Sequence, residues 1–146
     1  MTTQLSLTTR WLQPGDALSD AYAVRTKVFI EEQNVPVELE VDELDPLADH
    51  LVIYNHHKPV ATGRIVWSPT VTIGRIAVLP ELRGSGIGAE IVRGLTSKVF
   101  ERDINEVHLH AQAHAVAFYE KLGFISYGEP YVEAGIPHLS MKKVKP

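Results

Sequence analysis

The sequence predicts one α/β domain in which helices flank a mixed sheet, and three observations lead to it. Short segments in which apolar and polar residues alternate, bounded by Gly, Pro, Asn and Asp, recur along the chain as strands. Two longer segments, 18–32 and 86–101, carry apolar residues at helical spacing. Strands and helices also interleave, in the order strands, helix, strand, helix, strands. A chain of 146 residues suits a single unit, 1–146, without a linker, and is long enough to bury a core.

Composition narrows the function classes. Hydrophobic residues at 45% and aromatic residues at 8% belong to an ordinary globular protein, which argues against disorder. The absence of cysteine excludes disulfides, thiolate metal sites and a cysteine nucleophile, so any catalysis uses other groups. No segment approaches the roughly 18 unbroken apolar residues of a membrane span. The N-terminal Met1-Thr-Thr-Gln-Leu-Ser lacks a basic region followed by an apolar one, so the cytoplasm is the expected location. The net charge is −4, and the one basic cluster is Lys142, Lys143 and Lys145, which argues against nucleic acid as a partner.

Taken in order, residues 4–9 alternate apolar and polar and form a first strand, followed by a turn at Pro14-Gly15-Asp16. A helix runs from Leu18 to Glu32 with Ser19 or Asp16 as cap and Ala21, Val24, Val28 and Phe29 inward. Arg25, Phe29 and Glu32 share one side of it. Residues 34–49 hold Pro36, Pro46 and the carboxylates of Glu38, Glu40, Asp42, Glu43, Asp45 and Asp49. This stretch reads equally as a solvated acidic loop or short helix and as an acidic lip that attracts a cationic amine.

His50 to Tyr54 and Val60 to Trp67 form a hairpin around Asn55 to Pro59, and His56-His57 at its turn lack the neighbouring ligands a metal site needs. A central strand covers 71–78, a helix 86–101, and a fifth strand 105–112 with Glu106, His108, His110 and Gln112 on one face. Val116 to Leu122 is a short helix ended by Gly123. Residues 124–127 form a strand, 128–137 a loop and 138–144 a last strand.

The most informative stretch is 71–100. Gly84, Gly86 and Gly88 fall in five residues between a strand and an amphipathic helix whose stripe is Ile87, Ile91, Val92, Leu95 and Val99. Glycines permit a tight turn and close approach of a bulky anion, and the unpaired amides and dipole at a helix start favour phosphate. A Walker loop would need Lys-Ser or Lys-Thr where Ala89-Glu90 stands. Gly84-x-Gly-x-x-Ala89 fits the dinucleotide fingerprint, but too little chain follows for repeated strand-helix units. The stretch Arg83-Gly-Ser-Gly-Ile-Gly88, preceded by Ala77-Val78 and Pro80, resembles the acyl-CoA loop of the GNAT superfamily of N-acetyltransferases.

A second element, Gln112-Ala-His-Ala-Val-Ala-Phe-Tyr-Glu-Lys-Leu-Gly-Phe124, resembles the terminal motif of that superfamily. Arg25-x-x-Val-Phe-x-x-Glu-Gln33, Asp42-x-x-Asp45, Ala111-Gln112-Ala113-His114 and Gly135-Ile-Pro-His138 with Met141 resemble its ElaA-like branch. Gln112 stands where many superfamily members carry asparagine, a departure usual for the branch. The resemblance implies a mixed, mostly antiparallel sheet of six to seven strands with about four helices. It implies acetyl-CoA as co-substrate and a primary amine of a small molecule or peptide as acceptor. Such folds often pair through sheet edges, which implies a homodimer.

By the same resemblance, the pantetheine arm lies along Ile76, Ala77 and Val78. The diphosphate lies over the amides of Arg83, Gly84, Ser85, Gly86, Ile87, Gly88 and Ala89, with Gln112 and Phe118 completing the slot. Arg83 either meets the diphosphate or braces the loop. Arg25, Phe29, Gln33, Arg64 and Arg75 would line the acceptor pocket, and the acidic loop could partner arginines buried on strands. Acetyl transfer needs a neutral amine, a donor for the developing oxyanion, here a backbone N–H near Val78, and protection of the departing thiolate. Tyr119 is the candidate for the last task, by hydrogen bond rather than full proton transfer. For the base, His110, His138 and Glu32 stay open, each equally readable as a structural residue. The rival function is a binding module of the same fold that holds acyl-CoA without turnover. A nicotinamide-dependent oxidoreductase is a distant third.

Overall fold

A computed structural model describes residues 4–146. Seven strands form one sheet in the order β1-β2-β3-β4-β5-β7-β6. They are β1 Leu7–Leu12, β2 Asp49–Asn55, β3 Lys58–Val66, β4 Thr72–Val78, β5 Glu106–Gln112, β6 Ile125–Glu133 and β7 Ile136–Val144. All neighbours are antiparallel except β4 and β5, which are parallel. The helices are α1 Ser19–Arg25, α2 Val37–Glu40, α3 Ile87–Glu101 and α4 Val116–Lys121.

The two faces follow from side-chain alternation. A Cβ placed on Gly63 of β3 would lie 2.8 Å from both Ile91 Cγ2 and Leu95 Cδ1, so α3 presses on that face. The next residue, Arg64, bonds to Asp42 and Asp45 beside α1 and α2, which therefore cover the opposite face. The expected stripe Ile87, Ile91, Val92, Leu95 and Val99 is buried in the core, with Leu109, Phe124 and Met141 in the same cluster. On β5, Val107, Leu109 and Ala111 face that core, so His108, His110 and Gln112 share the face of α1 and α2. Among the described residues no helix covers the β5, β7 and β6 part of that face.

Several expected boundaries move. The first strand is Leu7–Leu12 rather than 4–9. The helix expected over 18–32 is α-helical only to Arg25, and Thr26–Glu32 widens into π-helix, where the Gln33 N–H reaches Val28 O at 3.1 Å. Neither expected cap serves α1. Leu18 stands at the cap position, and Asp16 instead accepts from the Gln13 N–H at 2.8 Å. The loop expected over 128–137 is a hairpin. β6 and β7 extend through it and turn at Ala134-Gly135, both with positive φ. Pro130 is tolerated because β6 is an edge strand, where a missing N–H costs no ladder bond.

Candidate active site

The site begins where the sheet comes apart. β4 and β5 are paired only at Thr72 and His108, next to the bond from His108 N–H to Val71 O at 3.0 Å. Beyond that point β4 stays paired with β3 and β5 with β7, while the two strands separate toward Val78 and Gln112. The edge of Ile76, Ala77 and Val78 that faces β5 thus pairs with no strand among the described residues. A bulge shapes the same wall. Arg75 and Ile76 stand opposite Gly63 alone, and Arg75 takes a left-handed φ of 48°.

The glycine loop lies at the mouth of this wedge. Gly84 and Gly86 have φ of 83° and 88°, and Gly86 is the residue from which α3 starts. The first internal bond of α3 runs from the Glu90 N–H to Gly86 O, so the amides of residues 84–89 donate to no backbone carbonyl among the described residues. Ser85 Oγ bonds to Leu82 O and holds the turn. Gly88 sits in a narrow place: an added Cβ would lie 3.4 Å from Phe118 Cζ and 3.7 Å from Val78 Cγ2. The loop, the end of β4 and α4 therefore meet at one point, and this donor-rich, side-chain-free cradle fits an extended diphosphate ligand.

Arg83 and Glu32 form one unit. Arg83 Nη1 and Nη2 each donate to a Glu32 carboxylate oxygen at 2.6 Å, and Arg83 Nε donates to Val78 O at 3.1 Å. The guanidinium therefore clamps the loop to the end of β4 and to the last turn before Gln33. It also holds the Glu32 carboxyl below its ordinary range, so Glu32 is an ion-paired carboxylate.

Tyr119 packs edge-on against Phe118 and Phe124, with ring centroids 5.1 and 6.0 Å away. Burial pushes its phenol up to about 12, so the group is a donor at neutral pH. Across the wedge, His110 and His138 lie on the open sheet face with Gln112. His138 Nδ1 is 2.6 Å from Ile136 O, and a carbonyl only accepts, so Nδ1 carries the proton and neutral His138 keeps a lone pair on Nε2. The Tyr131 hydroxyl meets His110 Nδ1 at 2.7 Å, and its ring stacks on His138 at 5.7 Å. Tyr131 escaped the sequence because it falls in the segment read as loop; the two-residue Ala134-Gly135 turn was the available signal.

The expected acceptor residues separate into groups. Gln112 Nε2 donates to Gln33 Oε1 at 2.9 Å and Gln33 Nε2 to Gln112 Oε1 at 3.3 Å, tying the helix end to the end of β5. Phe29 packs against the core. Arg25 is 0% exposed, with its guanidinium consumed by Glu40 at 2.6 Å, by Asp45 at 2.7 and 3.1 Å, and by Glu40 O at 2.9 Å. Arg64 is 6% exposed and binds Asp42 at 2.7 and 2.9 Å and Asp45 at 2.7 Å. Burial opposes ionisation of Asp45, but Arg25 and Arg64 overcome it and hold the carboxyl well below its ordinary range. Glu40 and Asp45 are thus neither a solvated loop nor a lip, because they are buried against arginines; Glu38 and Glu43 stay exposed. Arg75 is the partly exposed member of this cluster.

Comparison with known proteins agrees with this geometry. Residues 17–145 match the model of the acetyltransferase (GNAT) domain. A Bacillus subtilis (strain 168) protein named uncharacterized N-acetyltransferase YjcF is 41% identical over 132 residues, spanning 88% of this chain and 93% of that protein. The crystal structure of Escherichia coli ElaA superposes with a TM-score of 0.82 at 32% identity, covering 94% of this chain and 99% of that one. An acyl-CoA N-acyltransferase from Pseudomonas aeruginosa superposes with a TM-score of 0.83, also at 32% identity, over 94% and 99% of the two chains.

Proposed function

This chain belongs to the GNAT acetyltransferase family and is an acyltransferase with a CoA-type co-substrate, and from that premise we propose that it moves an acetyl group from acetyl-CoA to a primary amine of a small molecule or peptide. The observation that carries the proposal is the open wedge between β4 and β5 with the unpaired amides of 84–89 at its mouth. We place residues 1–146 together as one catalytic domain in the cytoplasm, with a second copy pairing through a sheet edge; no helix among the described residues is long and apolar enough to cross a membrane.

When bound, acetyl-CoA supplies the activated thioester. The amides from Gly84 to Ala89 hold the diphosphate, and Arg83 keeps their loop seated on β4. The free edge of Ile76, Ala77 and Val78 aligns the pantetheine arm, because backbone pairing recognises any acyl-CoA alike. Phe118 and Gln112 bound the slot. A main-chain N–H near Val78 donates to the acetyl oxygen, a type of contact worth about 3 kcal/mol of barrier. Tyr119 donates a hydrogen bond to the departing sulfur. The amine proton passes to a histidine of the open face. His138 suits this role through its Nε2 lone pair, His110 is the alternative, and Glu32 is the weakest candidate because Arg83 holds it as a paired anion.

Release of free thiol from acetyl-CoA, measured against a panel of amines, tests the proposal. Turnover with at least one amine supports it. Saturable CoA binding with no turnover on any amine, and no change on Tyr119→Phe, assigns the chain instead to an acyl-CoA-binding module.

A further inference from the structure

The arginine-carboxylate cluster beneath α2 is unevenly compensated. Three guanidinium groups, Arg25, Arg64 and Arg75, face three carboxylates, Glu40, Asp42 and Asp45. The short contacts all go to the first two arginines, at 2.6 to 2.7 Å. The nearest carboxylate oxygen to Arg75 is Asp42 Oδ2 at 3.3 Å, and Glu40 Oε1 is at 3.8 Å. Its other bonds end on neutral carbonyls, from Nε to Glu40 O at 3.0 Å and from Nη2 to Leu39 O at 3.2 Å. Nη1 has no hydrogen-bond partner among the described residues and is not buried.

The backbone aims this group deliberately. Regular alternation would turn Arg75 toward α3, but the bulge and the left-handed φ of 48° direct it to the face of α1 and α2. Thr72 and His108 lie on that same face where the strands last pair, so the backbone position of Arg75, three residues on, lies across the wedge from the His110 to Gln112 stretch of β5, while its guanidinium reaches Leu39, Glu40 and Asp42. The side chain is 28% exposed, against 1% for Arg25 and 7% for Arg64. Burial, then the neighbouring Arg64 and Arg25, hold Arg75 below its ordinary value while the guanidinium stays charged, as befits a cation whose counter-ions are engaged by other arginines.

We infer that Arg75 recognises a carboxylate on the acceptor, so that the amine substrate is an amino acid or another amino carboxylate. A guanidinium carried by the strand across the wedge from the histidines fixes the acid end and leaves the amine free to reach the thioester. This rests on the acyl-transfer reading above. It deepens that reading by naming the substrate class.

Product binding tests it without turnover. In the presence of saturating CoA, N-acetylglycine, N-acetylleucine, N-acetyllysine and N-acetylglutamate are each titrated beside the matching N-acetyl amino acid amide. At least one acid is expected to bind about 10- to 100-fold more tightly than its amide, the ratio of one charge-assisted hydrogen bond. Arg75→Gln brings that ratio near one, and Arg75→Lys restores part of it. CoA binding by calorimetry reports that each variant is folded. If no acid outbinds its amide, or if the preference survives Arg75→Gln in a CoA-binding protein, the inference is overturned. Failure of acetyl transfer itself shows differently, as the absence of thiol release with every amine while the acid-amide preference remains.

Discussion

Burial drives the Tyr119 phenol up to about 12, well above the free thiol value of about 8.5. Full proton transfer to a thiolate is therefore uphill, and donation of a hydrogen bond is the task the side chain suits. Tyr119→Phe keeps the ring packing on Phe118 and Phe124 and removes the donor. Turnover is expected to fall about 10²-fold with CoA affinity retained, measured by thiol release and calorimetry; equal turnover would remove Tyr119 from the chemistry. Asp45 works on stability instead. Asp45→Asn leaves Arg25 and Arg64 short of a buried counter-charge and is expected to cost about 3–5 kcal/mol in denaturant unfolding. That arginines on buried surfaces need acidic partners was legible from the sequence. The pairing of Arg25 with Glu40 and Asp45 was not, because it joins residues 15 and 20 positions apart through a fold no local pattern encodes.

At the scale of elements, glycine requirements make sharp predictions. Gly88→Val places branched carbons where even a Cβ already touches Phe118 and Val78. CoA affinity is expected to drop at least about tenfold while the melting temperature moves little; unchanged affinity would show that the cradle does not hold the ligand. Gly63→Ala instead forces a methyl to within 2.8 Å of Ile91 and Leu95 and should cost about 1–3 kcal/mol through overpacking of α3 on β3. The strand-loop-helix around 71–101 was readable because its glycines and helical period act locally, and the end of α4 was readable from the αL cap at Gly123. The β6–β7 hairpin was not, since Gly128 and Pro130 are strand breakers by composition, and only an edge strand with a break in register between Tyr127 and Tyr131 makes them acceptable. Nor was the π-helical stretch Thr26–Glu32, because the apolar Val24 and Val28, one in α1 and one in the widened stretch, keep the four-residue spacing of an ordinary helix.

Over the whole molecule, the parallel junction of β4 and β5 opens the wedge in which we propose acyl-CoA binds, and the ion-pair cluster ties α1 and α2 to the sheet beside it. Asp42 and Asp45 both ionise more readily folded than unfolded. Their contribution is fully present above the unfolded carboxyl value of about 4 and is lost as pH falls through the depressed native values. Denaturation midpoints are therefore expected to hold above about pH 5 and to fall steeply below about pH 4, and Asp45→Asn should flatten the slope. The most direct test of the acyl-CoA site compares CoA with pantetheine, which lacks the diphosphate, by calorimetry on folded protein. Saturable heat with CoA and affinity for pantetheine weaker by at least about 10²-fold is the expected result, whereas no heat with CoA at millimolar concentration, or equal binding of the two, would contradict a diphosphate held by the amides of residues 84–89.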